Sequence, residues 1–299
     1  MRYIKRILNS KNIELLLFGF LLFLFLLELG IYLDIRPENI GNLKRRILGT
    51  KEIPKVIFTI KKPSTVISEK VQSSWTIKNP GYNFTVYEDN KVDDIVKQHM
   101  SKEIYEAFNS LPLKILKADY FRYIQLYLNG GIYTDSDTIC KQSIDLWNDN
   151  NQGIEMIVGL ENYRPNKYYK CNQQGFGRDV QFIQWTIASC KGHPILLSVI
   201  NKIQKMTSIM LKKQTWTYCD IMNWTGPGIW SDAVLEYLNV RDKRELNILS
   251  PRLINGVYVL PLTGFCSDYK GHYIHYPGKV LHLFSGSWKK KNSLIYTKE

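Results

Sequence analysis

The sequence predicts an α/β domain behind one N-terminal membrane-spanning helix. Three observations carry that expectation. Strand-like and helix-like stretches alternate from Ile53 onward, as they do in α/β domains. Leu113 to Leu128 has apolar residues at helical spacing, stops at Asn129-Gly130-Gly131, and leads directly into the apolar run Ile132-Tyr133-Thr134. Ile13 to Leu33 is almost wholly apolar, and its centre, Leu15 to Leu27, holds no charge.

The N-terminal stretch comes first. A helix of about 20 residues, rising about 1.5 Å each, crosses the roughly 30 Å hydrocarbon core of a bilayer. Glu14 and Glu28 lie near its ends, where a carboxylate reaches the headgroups at less than the roughly 2.5–3.5 kcal/mol of a mid-bilayer charge. Arg2, Lys5, Arg6 and Lys11 precede it with no acidic residue among them. The positive-inside rule then keeps residues 1–12 cytosolic and sends the rest across. A cleaved signal peptide is the alternative, but the apolar run is long and no small-residue cleavage site follows Leu33. The expectation is an uncleaved signal anchor at 13–33, a stem at 34–50 and one luminal domain at 51–299.

A lumen permits disulfides. The five cysteines, Cys140, Cys171, Cys190, Cys219 and Cys266, include no CxxC pair, so a zinc cluster is disfavoured and the pairing stays open. The sequons Asn83-Phe84-Thr85 and Asn223-Trp224-Thr225 fit luminal exposure, each weakly.

Lys and Arg total 40 against 27 Asp and Glu, a net charge of +13. Residues 1–50 hold eight basic and four acidic residues, so the remainder carries 13 − 4 = +9, scattered apart from short runs such as Lys289-Lys290-Lys291. Scattered Lys is ordinarily a solvated surface, and a luminal domain meets little nucleic acid; no nucleic-acid partner is expected.

Within the domain, Ile53 to Ile60 reads as a first buried strand. Asn79-Pro80-Gly81 reads as a turn, and Tyr82 to Tyr87 alternates like a second strand. Asp93 to Phe108 reads as helical, followed by the helix at 113–128. The strand at 132–134 then runs into Asp135-Ser136-Asp137. Two carboxylates one residue apart at the end of a buried strand suit a hard divalent cation that keeps open positions for a diphosphate. The bare tripeptide is more often a turn or cap. Asp119 and Arg122 stand at i and i+3 on the preceding helix, so they share one face. A carboxylate and a guanidinium there suit a polar, anionic ligand, the alternative being an ion pair on a solvated face.

The segment Ala118-Asp119-Tyr120-Phe121-Arg122-Tyr123 with Gly130-Gly131-Ile132-Tyr133-Thr134-Asp135-Ser136-Asp137-Thr138 resembles the DXD-containing, sugar-binding region of glycosyltransferase family 32. Gln181-Phe182-Ile183-Gln184-Trp185, Lys191-Gly192-His193-Pro194, Trp224-Thr225-Gly226-Pro227-Gly228, Val259-Leu260-Pro261-Leu262 and His282-Leu283-Phe284-Ser285-Gly286-Ser287-Trp288 resemble its fungal initiation-specific α-1,6-mannosyltransferases. These blocks run in order through residues 53–290.

The resemblance implies a GT-A fold, a single Rossmann-like α/β domain, and a GDP-mannose donor with Mn²⁺ or Mg²⁺. It implies that Asp119, Arg122 and Asp135 contact the donor sugar or ribose. Asp137 and His282 would hold the metal, and Ser287 and Trp288 would contact the diphosphate. It also implies retaining transfer to the 6-hydroxyl of an N-glycan mannose, in a type II Golgi or endoplasmic-reticulum membrane protein. The donor phosphate would take the acceptor proton. Asp232, after the Gly-Pro-Gly turn, is a further catalytic candidate; the alternative is that it caps a helix beginning Ala233-Val234-Leu235. The chain departs from the family at Phe58 and Thr59, where His-Gln is common. The segment 161–177 also matches poorly and reads as surface, the alternative being an acceptor-facing loop. Rival functions are an inositol-phosphorylceramide mannosyltransferase, a non-catalytic subunit of a Golgi glycosyltransferase complex, and a lectin-like binder.

Overall fold

The computed structural model describes residues 51–165, 171, 176–240, 242–246, 249–265, 278–285 and 295–297. The expected membrane span at 13–33 and stem at 34–50 lie outside these residues, as do Cys266, Ser287 and Trp288. Among the described residues no helix is long and apolar enough to cross a membrane.

The chain enters through β1 (Val56–Lys61), whose middle four residues are buried. Helix α1 (Glu69–Lys78) follows, capped by the Ser68 hydroxyl, which accepts from Val71 N–H. It leads into β2 (Asn83–Glu88), parallel to β1. The stretch expected as one helix at 93–108 is two, α2 (Val92–His99) and α3 (Lys102–Asn109). Ser101 is the reason: its extended backbone and capping hydroxyl start a new helix instead of continuing the old one.

Helix α4 (Lys114–Asn129) and β3 (Gly131–Thr134) match the expected helix and strand closely. The junction needs glycine. Gly130 and Gly131 have φ of +69° and +98°, and a Cβ on Gly131 would lie 2.6 Å from the Val56 carbonyl oxygen. That close approach lets β3 lie parallel to β1.

Beyond β4 (Thr138–Cys140) come β5 (Met156–Tyr163), β6 (Val180–Phe182), β7 (Thr186–Ser189) and α5 (Pro194–Met210). After β8 (Trp216–Thr217), α6 (Tyr218–Trp224) and α7 (Pro227–Leu238) come β9 (Arg252–Ile254), β10 (Val257–Leu260), β11 (Val280–His282) and β12 (Ile295–Tyr296).

The main sheet runs β2-β1-β3-β7-β5-β10-β9, with β6 on β5. Strand β7 is antiparallel to both β3 and β5, so β2, β1, β3, β5 and β10 share one direction. The architecture is mixed α/β with a parallel-rich sheet. Alternating residues feed two cores, as a sheet covered on both faces requires. Phe58, Tyr133, Val158 and Val259 pack on one side with α4, α5 and α7. Ile57, Ile132, Ile157 and Tyr258 pack on the other with Trp75, Trp147 and Phe265.

Cys171 is bonded to Cys219, while Cys140 and Cys190 are buried free thiols. The two sequons differ. Asn83 is exposed at the start of an outer strand. Asn223 accepts from the Arg178 guanidinium and is followed by the fully buried Trp224 and Thr225.

Candidate active site

The shared strand direction gathers chemistry at one sheet edge. Asp135 follows the last residue of β3, Trp185 precedes the first of β7, and Glu161 lies near the end of β5. Thr134 pairs with Thr186, so Asp135 and Trp185 are neighbours, joined by Asp135 N–H donating to the Trp185 carbonyl at 2.9 Å. Ligand sites of open α/β sheets sit outside such carboxyl ends.

The C-terminal segment reaches this edge through a small second sheet. Strand β11 pairs antiparallel with β4, His282 opposite Thr138. That register sets His282 Nε2 at 3.2 Å from Asp137 Oδ1 and 3.9 Å from Asp135 Oδ2. Ligand atoms of Asp135, Asp137 and His282 all lie within 4.8 Å of one another. Two half-buried carboxylates and a half-buried imidazole make a donor set that fits a divalent cation such as Mn²⁺. The Ser285 backbone N–H and hydroxyl donate to Asp137 Oδ2 at 2.9 and 2.6 Å. Burial raises the Asp137 carboxyl, but the hydrogen bonds from His282 and Ser285 outweigh it and hold it well below the usual carboxylate range.

Asp119 and Arg122 are 2% and 3% exposed, which corrects the alternative of a solvated surface pair. The Arg122 guanidinium donates to Asp119 Oδ1 and to the Gln184 carbonyl at 3.0 Å, and lies 3.5 Å from Asp135 Oδ1. It also lies 4.7 Å above the Tyr133 ring, whose hydroxyl donates to Asp135. Asp119 Oδ2 accepts from Thr225 Oγ1 at 3.2 Å. Burial pushes the Asp119 carboxyl up to about 6 against the pull of Arg122. Arg122 Nε is buried with no hydrogen-bond partner among the described residues, a donor left over for a ligand.

Helix α7 begins at Pro227 after Gly226, so Asp232 lies in its second turn and caps nothing, which corrects the helix start expected at Ala233. Its carboxylate is gripped by Arg178 at 2.7 and 2.5 Å, on the face where Arg178 also meets Asn223. A Cβ on Gly228 would meet Asn223 Oδ1 at 2.5 Å, so the Gly-Pro-Gly turn makes room for this cluster. Phe58 and Thr59, where the chain departs from the family pattern, are both buried.

The structure adds residues that spacing did not single out. Gln184 accepts from the Tyr123 hydroxyl at 2.7 Å and donates to Asp119 at 3.4 Å. The Trp185 ring stacks on His282, centroids 4.8 Å apart. Glu161 accepts from Gln181 and Trp185. The available signal was a lone acid closing the apolar run Met156 to Leu160.

Comparison with known proteins identifies the family. Residues 66–154 match the family described as glycosyltransferase sugar-binding region containing DXD motif. The initiation-specific alpha-1,6-mannosyltransferase of Candida albicans is 35% identical over 291 residues, covering 85% of this chain and 72% of that protein. The protein of the same name from Schizosaccharomyces pombe is 37% identical over 262 residues, covering 80% and 64%. The inositol phosphoceramide mannosyltransferase 3 of Schizosaccharomyces pombe is 25% identical over 177 residues, covering 58% and 43%. The chain belongs to the DXD-containing glycosyltransferase family that includes the initiation-specific alpha-1,6-mannosyltransferases, and it is an enzyme of the mannosyltransferase type.

Proposed function

We propose that the protein is a cation-dependent, retaining α-1,6-mannosyltransferase of GT-A architecture that takes mannose from GDP-mannose and gives it to an N-glycan mannose. The observation that carries this is the meeting, at one sheet edge, of the Asp135–Asp137–His282 cluster with the buried Asp119–Arg122 pair. Asp137 and His282 would hold a divalent cation, beside Asp135, which also meets Arg122. A bound cation neutralises charge that builds on the departing diphosphate. Asp119 and Arg122 orient the donor sugar: the carboxylate accepts from sugar hydroxyls, and the guanidinium offers its unpartnered Nε–H. Ser287 and Trp288, outside the described residues, contact the diphosphate from the same C-terminal block. The acceptor hydroxyl's proton passes to the donor's own phosphate. Arg178 and Asp232 shape the neighbouring wall, with Asp232 acting there through Arg178. The apolar stretch 13–33, with cations ahead of it, anchors the enzyme as a single-pass Golgi membrane protein with residues 51–299 in the lumen.

The test is the full chain against a panel of nucleotide sugars, with and without Mn²⁺, followed by acceptor arms of N-glycan mannose and inositol phosphorylceramide. Mn²⁺-dependent release of GDP from GDP-mannose, with transfer to the glycan, is the expected outcome. Transfer to the ceramide acceptor alone, or equal use of all donors, would overturn the assignment. The 35–37% identity to alpha-1,6-mannosyltransferases, against 25% to the ceramide enzyme, favours the glycan.

A further inference from the structure

A metal-binding histidine usually donates its second ring nitrogen to a carboxylate, carbonyl or water, which fixes the plane of the ring. His282 does not follow that pattern. Its Nε2 faces Asp137 and Asp135, but its Nδ1 is buried and has no hydrogen-bond partner among the described residues. Ring contacts remain to hold the plane. Trp185 stacks on the imidazole at 4.8 Å with 20° between planes. Phe284 lies 4.1 Å away at 57°, but it is 63% exposed and gives a looser wall.

The Trp185 indole is itself tied down. Its Nε1–H donates to Glu161 Oε1 at 3.2 Å. The other carboxylate oxygen, Oε2, accepts from Gln181 Nε2 at 2.7 Å. Gln181 is anchored in turn by the Gly177 and Arg178 backbone N–H groups, which donate to its Oε1 at 2.6 and 3.3 Å. Burial raises the Glu161 carboxyl, while these hydrogen bonds and His282 pull it down. A desolvated acid near the end of a mostly apolar strand calls for an explanation beyond packing.

We propose, resting on the cation site assigned above, that Glu161 is a positioning residue for that site: its carboxylate fixes the Trp185 indole, and the indole fixes the His282 ring. The chain Gln181–Glu161–Trp185–His282 then replaces the missing hydrogen bond at Nδ1. The part of Glu161 that matters is an acceptor oxygen aimed at the indole. Glu161→Gln alone would set its amide nitrogen against the Gln181 Nε2 donor, so the exchange Glu161→Gln with Gln181→Glu is the variant that keeps every hydrogen bond, and Glu161→Ala is the one that loses the acceptor. Trp185→Phe keeps a ring for stacking but removes the N–H that locks its orientation.

The experiment measures Mn²⁺ binding directly, from the free-ion electron paramagnetic resonance signal, on the full chain carrying Glu161→Ala, Trp185→Phe, Glu161→Ala with Trp185→Phe, or the exchange Glu161→Gln with Gln181→Glu. Thermal melts check folding. Glu161→Ala and Trp185→Phe should each weaken Mn²⁺ about 10- to 100-fold, the usual range for outer residues of a metal site. Glu161→Ala with Trp185→Phe should bind no more weakly than the worse single one, because both break the same link. The exchange should stay close to wild type. Wild-type affinity in Glu161→Ala, losses that multiply in Glu161→Ala with Trp185→Phe, or an exchange as weak as Glu161→Ala would each overturn the proposal. If Glu161→Ala does not fold, Trp185→Phe and the exchange decide. Weak Trp185→Phe beside an intact exchange supports it, and an intact Trp185→Phe or a weak exchange refutes it. A wild-type chain that binds no Mn²⁺ would refute the cation site itself, a separate failure.

Discussion

At the scale of single residues, Asp119 and Arg122 are where burial and charge compete. Asp119 accepts from Arg122, Thr225 and Gln184, yet burial pushes its carboxyl up to about 6. Above that pH it is ionised and can hold Arg122 and a sugar hydroxyl; below it the proton removes both roles. We expect kcat/KM to fall as pH drops through about 6, and Asp119→Asn to be poorly active throughout and to lack that limb. A pH–rate profile of the two proteins checks this; an unshifted limb in Asp119→Asn assigns it to another group. For folding the sign is reversed. A carboxyl whose folded pKa lies above its ordinary 3.8 contributes stability that is complete below 3.8 and lost as pH rises through about 6. Asp232 gives the contrasting expectation. Its pair with Arg178 is partly exposed, at 42% and 29% of the two side chains. Asp232→Asn should therefore cost only about 1 kcal/mol in denaturant unfolding and leave Mn²⁺ affinity unchanged. A weakened Mn²⁺ titration would move Asp232 into the cation site.

At the scale of elements, β11 is the piece on which the site depends. It carries His282 across to β4, and its first turn of chain is fastened by Lys279. Only 1% of that side chain is exposed, and its ammonium donates to Asp149 at 3.0 Å and Gln142 at 3.1 Å. Burial lowers the Lys279 pKa, but its partners keep the ammonium useful. Lys279→Met should cost about 1.5–3 kcal/mol of stability, the worth of hydrogen bonds to a charged group, and weaken Mn²⁺ binding by loosening β11. Denaturant unfolding and metal titration on the same sample check both. The outer strand β2 yields another expectation. Asn83 is exposed and Asn223 is engaged by Arg178, so in a luminal protein a glycan is expected on Asn83 and none on Asn223. Endoglycosidase treatment of the secretory-pathway protein should shift its mobility in wild type and in Asn223→Gln, and not in Asn83→Gln. Elements also mark where the sequence could be read. Helix α4 and its Gly130-Gly131 exit were legible because apolar spacing and a glycine stop are local signals. Helix α1 was not, since only Val71 and Trp75 are buried along it. The break at Ser101 was hidden because a serine cap looks like any polar residue in a helical run.

At the scale of the whole molecule, the sheet and its small companion bring distant parts of the chain to one edge. Asp137 and His282 are 145 residues apart, and no spacing rule joins them; family resemblance alone put His282 beside the DXD pair in the reading of the sequence. The geometry is the β4–β11 register. Glu161 escaped notice for the opposite reason, as one acid in a segment that matched the family poorly. The charge of +13 sharpens little: it suits an anionic donor without specifying one. Among the described residues, the Asp135–Asp137–His282 cluster and the buried Asp119–Arg122 pair share that edge. The most direct measurement is GDP release from GDP-mannose by the full chain, wild type beside Asp137→Ala, titrated with Mn²⁺ after chelation. The account predicts release that rises with Mn²⁺ in wild type and is lower on the order of 10²–10³-fold in Asp137→Ala at every concentration. Release that ignores chelation and is equal in the two proteins would contradict it.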